Sequence, residues 1–189
     1  MNLKKLLFSS AFLASSLFAG VYSVDKSHSS VGFKIKHLMI SNVNGSFNDF
    51  DGKFEYDEKT KTLKTLEGEV KVSSIDTGNS KRDGHLKADD MFDAKKYPSI
   101  KFKVTKIDGD KVYGDFTLRG VTKNIELDFE NGGVIVDPWG NTKAGFALNG
   151  SINRSDFGLT YNKVLEAGGV ALGEKVKLNI EIEGKQIKK

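Results

Sequence analysis

Three histidines, His28, His37 and His85, are the side chains of this 189-residue chain best suited to hold a metal or to exchange a proton near neutral pH. Their separations match no metal-ligand spacing, so they meet only if the fold brings them together. No nucleophile elbow, phosphate-cradling glycine loop or zinc motif accompanies them, and the serine and acid content is ordinary. Enzymatic chemistry has no positive support, and no cofactor is expected. The chemical alternative is a metal-assisted hydrolase built from His28, His37 and His85. Against it stands the plainer reading of His37 as a satisfied, half-buried polar group in an apolar row.

The aromatic residues are more telling, because they recur at strand spacing. Residues 111–130 place Val112, Gly114, Phe116 and Leu118 on one face of an extended segment and Ile125, Leu127 and Phe129 on one face of the next. Between them, Arg119-Gly120-Val121-Thr122 suits a type II′ turn with Gly120 at its first central position. That turn pairs Leu118 with Lys123, Phe116 with Ile125 and Gly114 with Leu127. It also sets Asp115 opposite Glu126, a like-charge pair costing a few tenths of a kcal/mol, roughly.

Six further strands follow the same logic. Val31, Phe33, Ile35 and His37 form one inward row, with Lys34 and Lys36 facing water. Phe47 differs in parity from Phe50, Phe54 and Tyr56, so a strand over residues 43–56 needs a bulge near Asn48-Asp49. Leu66, Gly68, Val70 and Val72 make a third row, Ile100, Phe102 and Val104 a fourth, Phe146, Leu148, Gly150 and Ile152 a seventh, and Val176, Leu178, Ile180 and Ile182 an eighth. Gly45, Gly52, Gly68, Gly114 and Gly150 read as bends in a curved sheet. Eight alternating strands with short connections favour an all-β, antiparallel closed barrel, with a two-sheet sandwich as the rival. Residues 73–98 read as a short helical segment and loop closing one end, and residues 156–173 hold too many apolar side chains for a solvated loop.

Lys4 and Lys5 ahead of an apolar, serine-interrupted run ending in Leu17-Phe18-Ala19 read as a signal peptide over residues 1–19, leaving one domain over residues 20–189. The run is shorter than the roughly 20 apolar residues of a membrane span, so no stable membrane insertion is expected. The chain has no cysteine, which excludes disulfides and a lipidated amino terminus. Loss of the leader removes two lysines and no acid, taking the formal charge from +4 to +2. That is no nucleic-acid signature.

The inward rows, Phe33, Phe47, Phe50, Phe54, Phe102, Phe116, Phe129 and Phe146, describe either a filled core or an apolar cavity with a few polar groups. Ile35, Val70, Leu118, Leu148 and Phe157 extend the same candidate lining.

Several short motifs in order carry a resemblance: Tyr22-Ser23-Val24-Asp25 with His28-Ser29, Lys36-His37-Leu38 before Val43-Asn44-Gly45-Ser46-Phe47, Arg82-Asp83-Gly84-His85-Leu86, Tyr97-Pro98-Ser99-Ile100, Gly120-Val121-Thr122-Lys123 and Arg154-Ser155-Asp156-Phe157-Gly158. Together they resemble the YceI family across essentially all of residues 20–189. The resemblance implies a lipocalin-like eight-stranded antiparallel barrel with a short helical segment closing one end. It also implies export to the periplasm and non-enzymatic binding of a long-chain amphiphile, a polyisoprenoid, an isoprenoid quinone or a fatty-acid-like lipid. His37, Arg82, Asp83, His85 and Arg154, from the resemblance and from their place on mouth-closing segments, are expected near the head group. A homodimer and a filled-core structural role are left open.

Overall fold

The structure, a computed structural model, describes residues 19–166 and 168–188. The leader therefore lies outside the described residues except for Ala19, the first residue of β1. The chain runs β1 (Ala19–Val24), β2 (Ser30–His37), β3 (Ser41–Phe47), β4 (Phe50–Asp57), β5 (Thr62–Lys71), β6 (Ile75–Asp76), α1 (Ser80–Leu86), β7 (Ser99–Asp108), β8 (Lys111–Leu118), β9 (Val121–Val136), β10 (Thr142–Asn153) and β11 (Leu172–Gln186).

These segments form eight antiparallel staves. β11 pairs with both β1, through Tyr22 and Gln186, and β2, through Phe33 and Leu178, so β1 and β2 are two halves of one stave interrupted at residues 25–29. β3 and β4 make the next stave, since β3 pairs with β2 while β4 pairs with β1. β5 and β6 make the third, broken by a 3-10 turn at Val72–Ser74. β7 to β11 follow in meander order and close on β1 and β2. The result is a closed eight-stranded barrel, and α1 with its flanking loop covers the end at which β2 meets β3.

Two local expectations are corrected. The bulge expected near Asn48-Asp49 is a break in the stave: the Asn48 amide donates to Ser74 O at 3.2 Å, and Asp49 O accepts from the Lys71 amide at 2.8 Å. Both groups bond to the β5–β6 junction, so the parity change marks a corner rather than one extra residue. The β8–β9 hairpin turns on Arg119 and Gly120, both at positive φ (52° and 77°), with Leu118 opposite Val121 and Phe116 opposite Lys123. Gly120 is thus the second central residue of a type I′ turn, which needs positive φ twice. The slip from the expected pairing is two residues, so every inward face is preserved. It also removes the like-charge pair, because Asp115 now faces Asn124, whose side-chain nitrogen donates to it at 3.0 Å.

The interior divides into two packed clusters. At the closed end Tyr22 stacks on Phe54 with centroids 5.1 Å apart, and Phe146 meets Phe54 edge-on at 5.1 Å, with Tyr56, Leu63, Val112 and Leu127 around them. The phenols finish this plug: Tyr22 donates to Glu58 at 3.0 Å and Tyr56 to Asn131 at 2.7 Å. Burial, then the Glu58 carboxylate, holds the Tyr22 phenol well above its ordinary range. At the other end Phe116 meets Phe157 edge-on at 5.4 Å among Ile100, Leu118, Ile152 and Leu159. Register shifts fall at Glu55/Tyr56 and at Val104/Lys106 among other places, the latter opposite Gly114. Gly45 leaves the space that the Phe33 ring fills, and Gly114 does the same for Phe102.

Candidate functional site: an apolar interior and its mouth

Two spaces lie end to end along the barrel axis. The inner one, about 110 Å³, sits between the two clusters and has almost wholly apolar walls. Seven of the expected lining residues face it: Phe33, Phe47, Phe50, Val70, Phe102, Phe116 and Leu148. It exists because Gly52 and Gly68 pair across β4 and β5, and Gly68 pairs in turn with Phe102 on β7. Directly opposed residues point to one face of a sheet, so two side chains are missing from an inward layer. A Cβ on Gly68 would meet nothing nearer than Asp51 O at 3.7 Å, an ordinary van der Waals contact, so a side chain fits there without a clash at its first atom.

The outer space, about 270 Å³, lies under α1 and the loop that carries Leu159, Tyr161, Lys163 and Ala171. Ile35, His37, Arg82, His85 and Arg154 line it, joined by Phe92, Tyr161 and Lys163. The aromatic pair Phe47 and Phe92, edge-on with centroids 6.1 Å apart, stands between the two spaces, Phe47 facing the inner one and Phe92 the outer one.

The remaining expected site residues sit elsewhere. Phe54 and Phe146 belong to the closed-end cluster, while Leu118 and Phe157 pack behind Phe116. Asp83 accepts from the Thr77 amide at 3.0 Å and from its hydroxyl at 2.5 Å, which fixes the entry to α1. Asn79 caps that helix by accepting from the Arg82 amide at 3.0 Å, as a short polar residue does at a helix start.

The basic residues of the mouth differ in how far they are committed. Arg154 is 3% exposed, and its guanidinium donates to Gly173 O, Leu159 O, Tyr161 O and Glu174 at 2.6–2.9 Å. Four of its five N–H groups are therefore spent holding the loop over the barrel, so Arg154 positions the mouth. Arg82, which lines the outer space, gives Nε and Nη2 to Thr77 at 2.7 and 2.8 Å and leaves Nη1 uncommitted among the described residues. His85 is held by Asp90 at 3.0 Å and lies edge-on to Tyr161 at 4.9 Å. The His37 imidazole has no hydrogen-bond partner among the described residues, although His37 lines the outer space.

The three histidines do not converge. His37 and His85 share the mouth, whereas His28 lies at the β1–β2 interruption, beyond the far end of β2, whose seven steps from Ser30 to His37 span roughly 23 Å at about 3.3 Å per residue. There His28 Nδ1 is 3.1 Å from Asp25 and 3.5 Å from Glu183. Among the described residues these three are the group whose donor atoms approach closely enough to share an ion. The Lys143 ammonium already bridges both carboxylates, at 3.1 and 2.6 Å, so the cluster is an ion-pair clasp between strands. Ser27, then His28, then Lys143 hold the Asp25 carboxyl well below its usual range.

Sequence reasoning missed Gly68, Phe92, Tyr161 and Lys163 as site residues. The signal for Gly68 was present, since a glycine between Leu66 and Val70 in an inward row is a missing side chain. Phe92, Tyr161 and Lys163 lie on irregular segments, where no periodicity says which way a side chain points.

A closed antiparallel meander barrel with an apolar interior opening at one capped end defines a small lipocalin-like class of protein. Residues 22–184 match the model of the YceI-like domain, and the chain belongs to the YceI family. It is 39% identical over 163 residues to a UPF0312 protein of Staphylococcus aureus, covering 86% of this chain and 95% of the relative. Its fold is shared with the YceI protein of Campylobacter jejuni at 42% identity and a TM-score of 0.70, over 87% of this chain and 96% of that one. A polyisoprenoid-binding domain from Saccharophagus degradans has the same fold, with a TM-score of 0.66 at 15% identity over 88% and 98% of the two chains.

Proposed function

We propose that the barrel binds one long-chain amphiphile, an isoprenoid or fatty-acid-like lipid, with its tail in the interior and its head at the mouth. One observation carries this reading: two apolar spaces lie in line along the axis, and the outer one is ringed by His37, Arg82, His85 and Lys163. Each space alone falls below or near the floor of roughly 300–1,000 Å³ typical of ligand pockets. A chain fills both by turning aside the Phe47 and Phe92 rings that stand between them. Affinity is tail-driven at about 0.8 kcal/mol per buried methylene, less the cost of ordering the chain. The basic ring favours an anionic or hydrogen-bond-accepting head group. The family and the polyisoprenoid-binding domain that shares its fold support this reading.

The protein acts by holding its ligand, for carriage or sequestration, without chemistry on it. Residues 1–19 act as a cleaved leader, and the remaining single domain works in the periplasm. The test is a thermal-unfolding series of lipid-stripped protein with a polyprenyl phosphate, a polyprenol and a fatty acid. Ligand at about 100 times its dissociation constant stabilises the folded state by about 2.7 kcal/mol. No shift with any of the three would refute the reading.

A further inference from the structure

The β2–β3 hairpin tip and loop residues 163–166 and 168–171 form an apolar prow beside the mouth. Leu38, Met39, Ile40 and Val164 are 38%, 54%, 84% and 85% exposed. The two segments are one structure: the Leu38 amide donates to Ala171 O at 2.8 Å, Val164 bridges Val170, and Met39 Cγ lies 3.9 Å from where a Gly169 Cβ would stand. Leu38 and Met39 both take positive φ, 49° and 63°, a conformation bulky residues rarely adopt. The hairpin thus presents two large apolar side chains where backbone preference calls for glycine or asparagine.

The charge just behind the prow is one-sided. Between Asp25 and Asp49 the sequence has no acid. Lys34 and Lys177 oppose each other on the outer wall, with Lys36 and Lys175 beside them, all exposed. None of these four has an ion-pair partner among the described residues. Several lysines elsewhere on the wall are matched, Lys71 and Lys101 with Glu69, Lys103 with Glu67, Lys106 with Asp108, and Lys111 with Glu126 and Asp128, while Lys53 and Lys185 stand singly rather than in a stripe. Glu174, the acid nearest the stripe in sequence, is engaged by Arg154. Lys36 and Lys34 lie two and four residues from Leu38, about 7 and 13 Å along the strand. With the tip in a bilayer interface, both stand within or near a Debye length of the head groups.

We infer that the prow docks on a bilayer containing anionic phospholipid, Leu38, Met39, Ile40 and Val164 entering the interface and the lysine stripe facing the phosphates. Exposed apolar side chains beside unpaired cations are the composition that binds such surfaces peripherally. Docking there would set the mouth against the membrane, as a site that takes up or releases a membrane amphiphile requires. It does not depend on the lipid-binding reading, because vesicle binding is measured on stripped protein whether or not the interior takes a chain.

The experiment is sedimentation of the stripped mature chain with vesicles of phosphatidylcholine, alone or with about one third phosphatidylglycerol. Since the chain has no cysteine, single cysteines at Ile40, Val164 and Trp139 carry an environment-sensitive fluorophore. Trp139 is 82% exposed at the β9–β10 turn, at the opposite end of the barrel, and serves as the control. Binding should require phosphatidylglycerol and weaken in high salt. Ile40→Asp, and separately Lys34→Glu with Lys36→Glu, should each lower the bound fraction about fivefold or more. Emission should shift to the blue at positions 40 and 164 and not at 139. Absence of wild-type binding, equal binding to phosphatidylcholine alone, or an equal shift at 139 would overturn the inference. So would a wild-type dimer that Ile40→Asp converts to monomer, which would make the prow a self-association surface.

Discussion

Filling the inner cavity from its own wall separates a binding space from a packing defect. Gly68→Val adds three carbons where a Cβ makes only an ordinary van der Waals contact, to Asp51 O at 3.7 Å, and the Gly68 φ lies outside the left-handed region, so the backbone admits a side chain. At about 0.8 kcal/mol per buried carbon group the gain is near 2.4 kcal/mol. A cavity of about 110 Å³ at about 24 cal/mol per Å³ gives nearly the same ceiling. Replacing glycine in a strand contributes a further ~0.5 kcal/mol, while imperfect fit subtracts 1 kcal/mol or more, roughly. We expect lipid-stripped Gly68→Val to be more stable than wild type by about 1 kcal/mol in denaturant unfolding. The same variant should lose at least about tenfold in affinity for a long-chain ligand, because the tail no longer has its layer. Gly52→Val is the control of opposite sign: its Cβ would lie 2.9 Å from Glu67 O, a backbone atom that cannot yield, so it should destabilise. The reasoning is refuted if Gly68→Val costs more than about 1 kcal/mol, or if it binds the chain as wild type does.

Other outcomes follow from the clasps and turns. Arg154→Met keeps the bulk but strands three backbone carbonyls and Glu174, and should cost about 3 kcal/mol, with faster amide exchange across residues 159–173; unchanged exchange there would exclude its positioning role. Asp25 has its folded-state pKa depressed, so its stabilisation is complete above the ordinary carboxyl pKa near ~3.9 and is lost as pH falls below it. Asp25→Asn should therefore lower stability by about 1–2 kcal/mol at pH 7 and flatten the acid limb of the stability curve, and an unaltered limb would remove this assignment. Gly120→Val faces both a φ of 77° and a Tyr97 ring atom at 2.7 Å, and a loss of less than about 1 kcal/mol would contradict the turn geometry.

Face alternation made the barrel legible in the sequence, because an inward row keeps its parity through any even slip of register. For the same reason alternation could not set the β8–β9 pairing: registers two residues apart bury the same side chains. The tie is broken on the outer face, where Asp115 meets Asn124 rather than Glu126. That like-charge cost was visible in the sequence and pointed to the pairing the structure adopts. The parity change between Phe47 and Phe50 was equally visible, but parity alone does not distinguish a bulge from a corner. The corner depends on hydrogen bonds to Ser74 and Lys71, residues more than twenty positions away. Arg154 illustrates a different limit. Its charge and its place on a mouth segment were readable, but its role depends on carbonyls that a loop without periodicity turns towards it.

The central claim is that the interior holds a single long chain, and native mass spectrometry tests it most directly on protein exported and purified without detergent. The predicted spectrum shows the mature chain plus one adduct per barrel, which an organic extract resolves as an amphiphile with a long hydrocarbon or isoprenoid tail and which is depleted in Gly68→Val. Wild-type barrels that arrive empty from lipid-containing cells, or that carry the same adduct in Gly68→Val at equal occupancy, would contradict it.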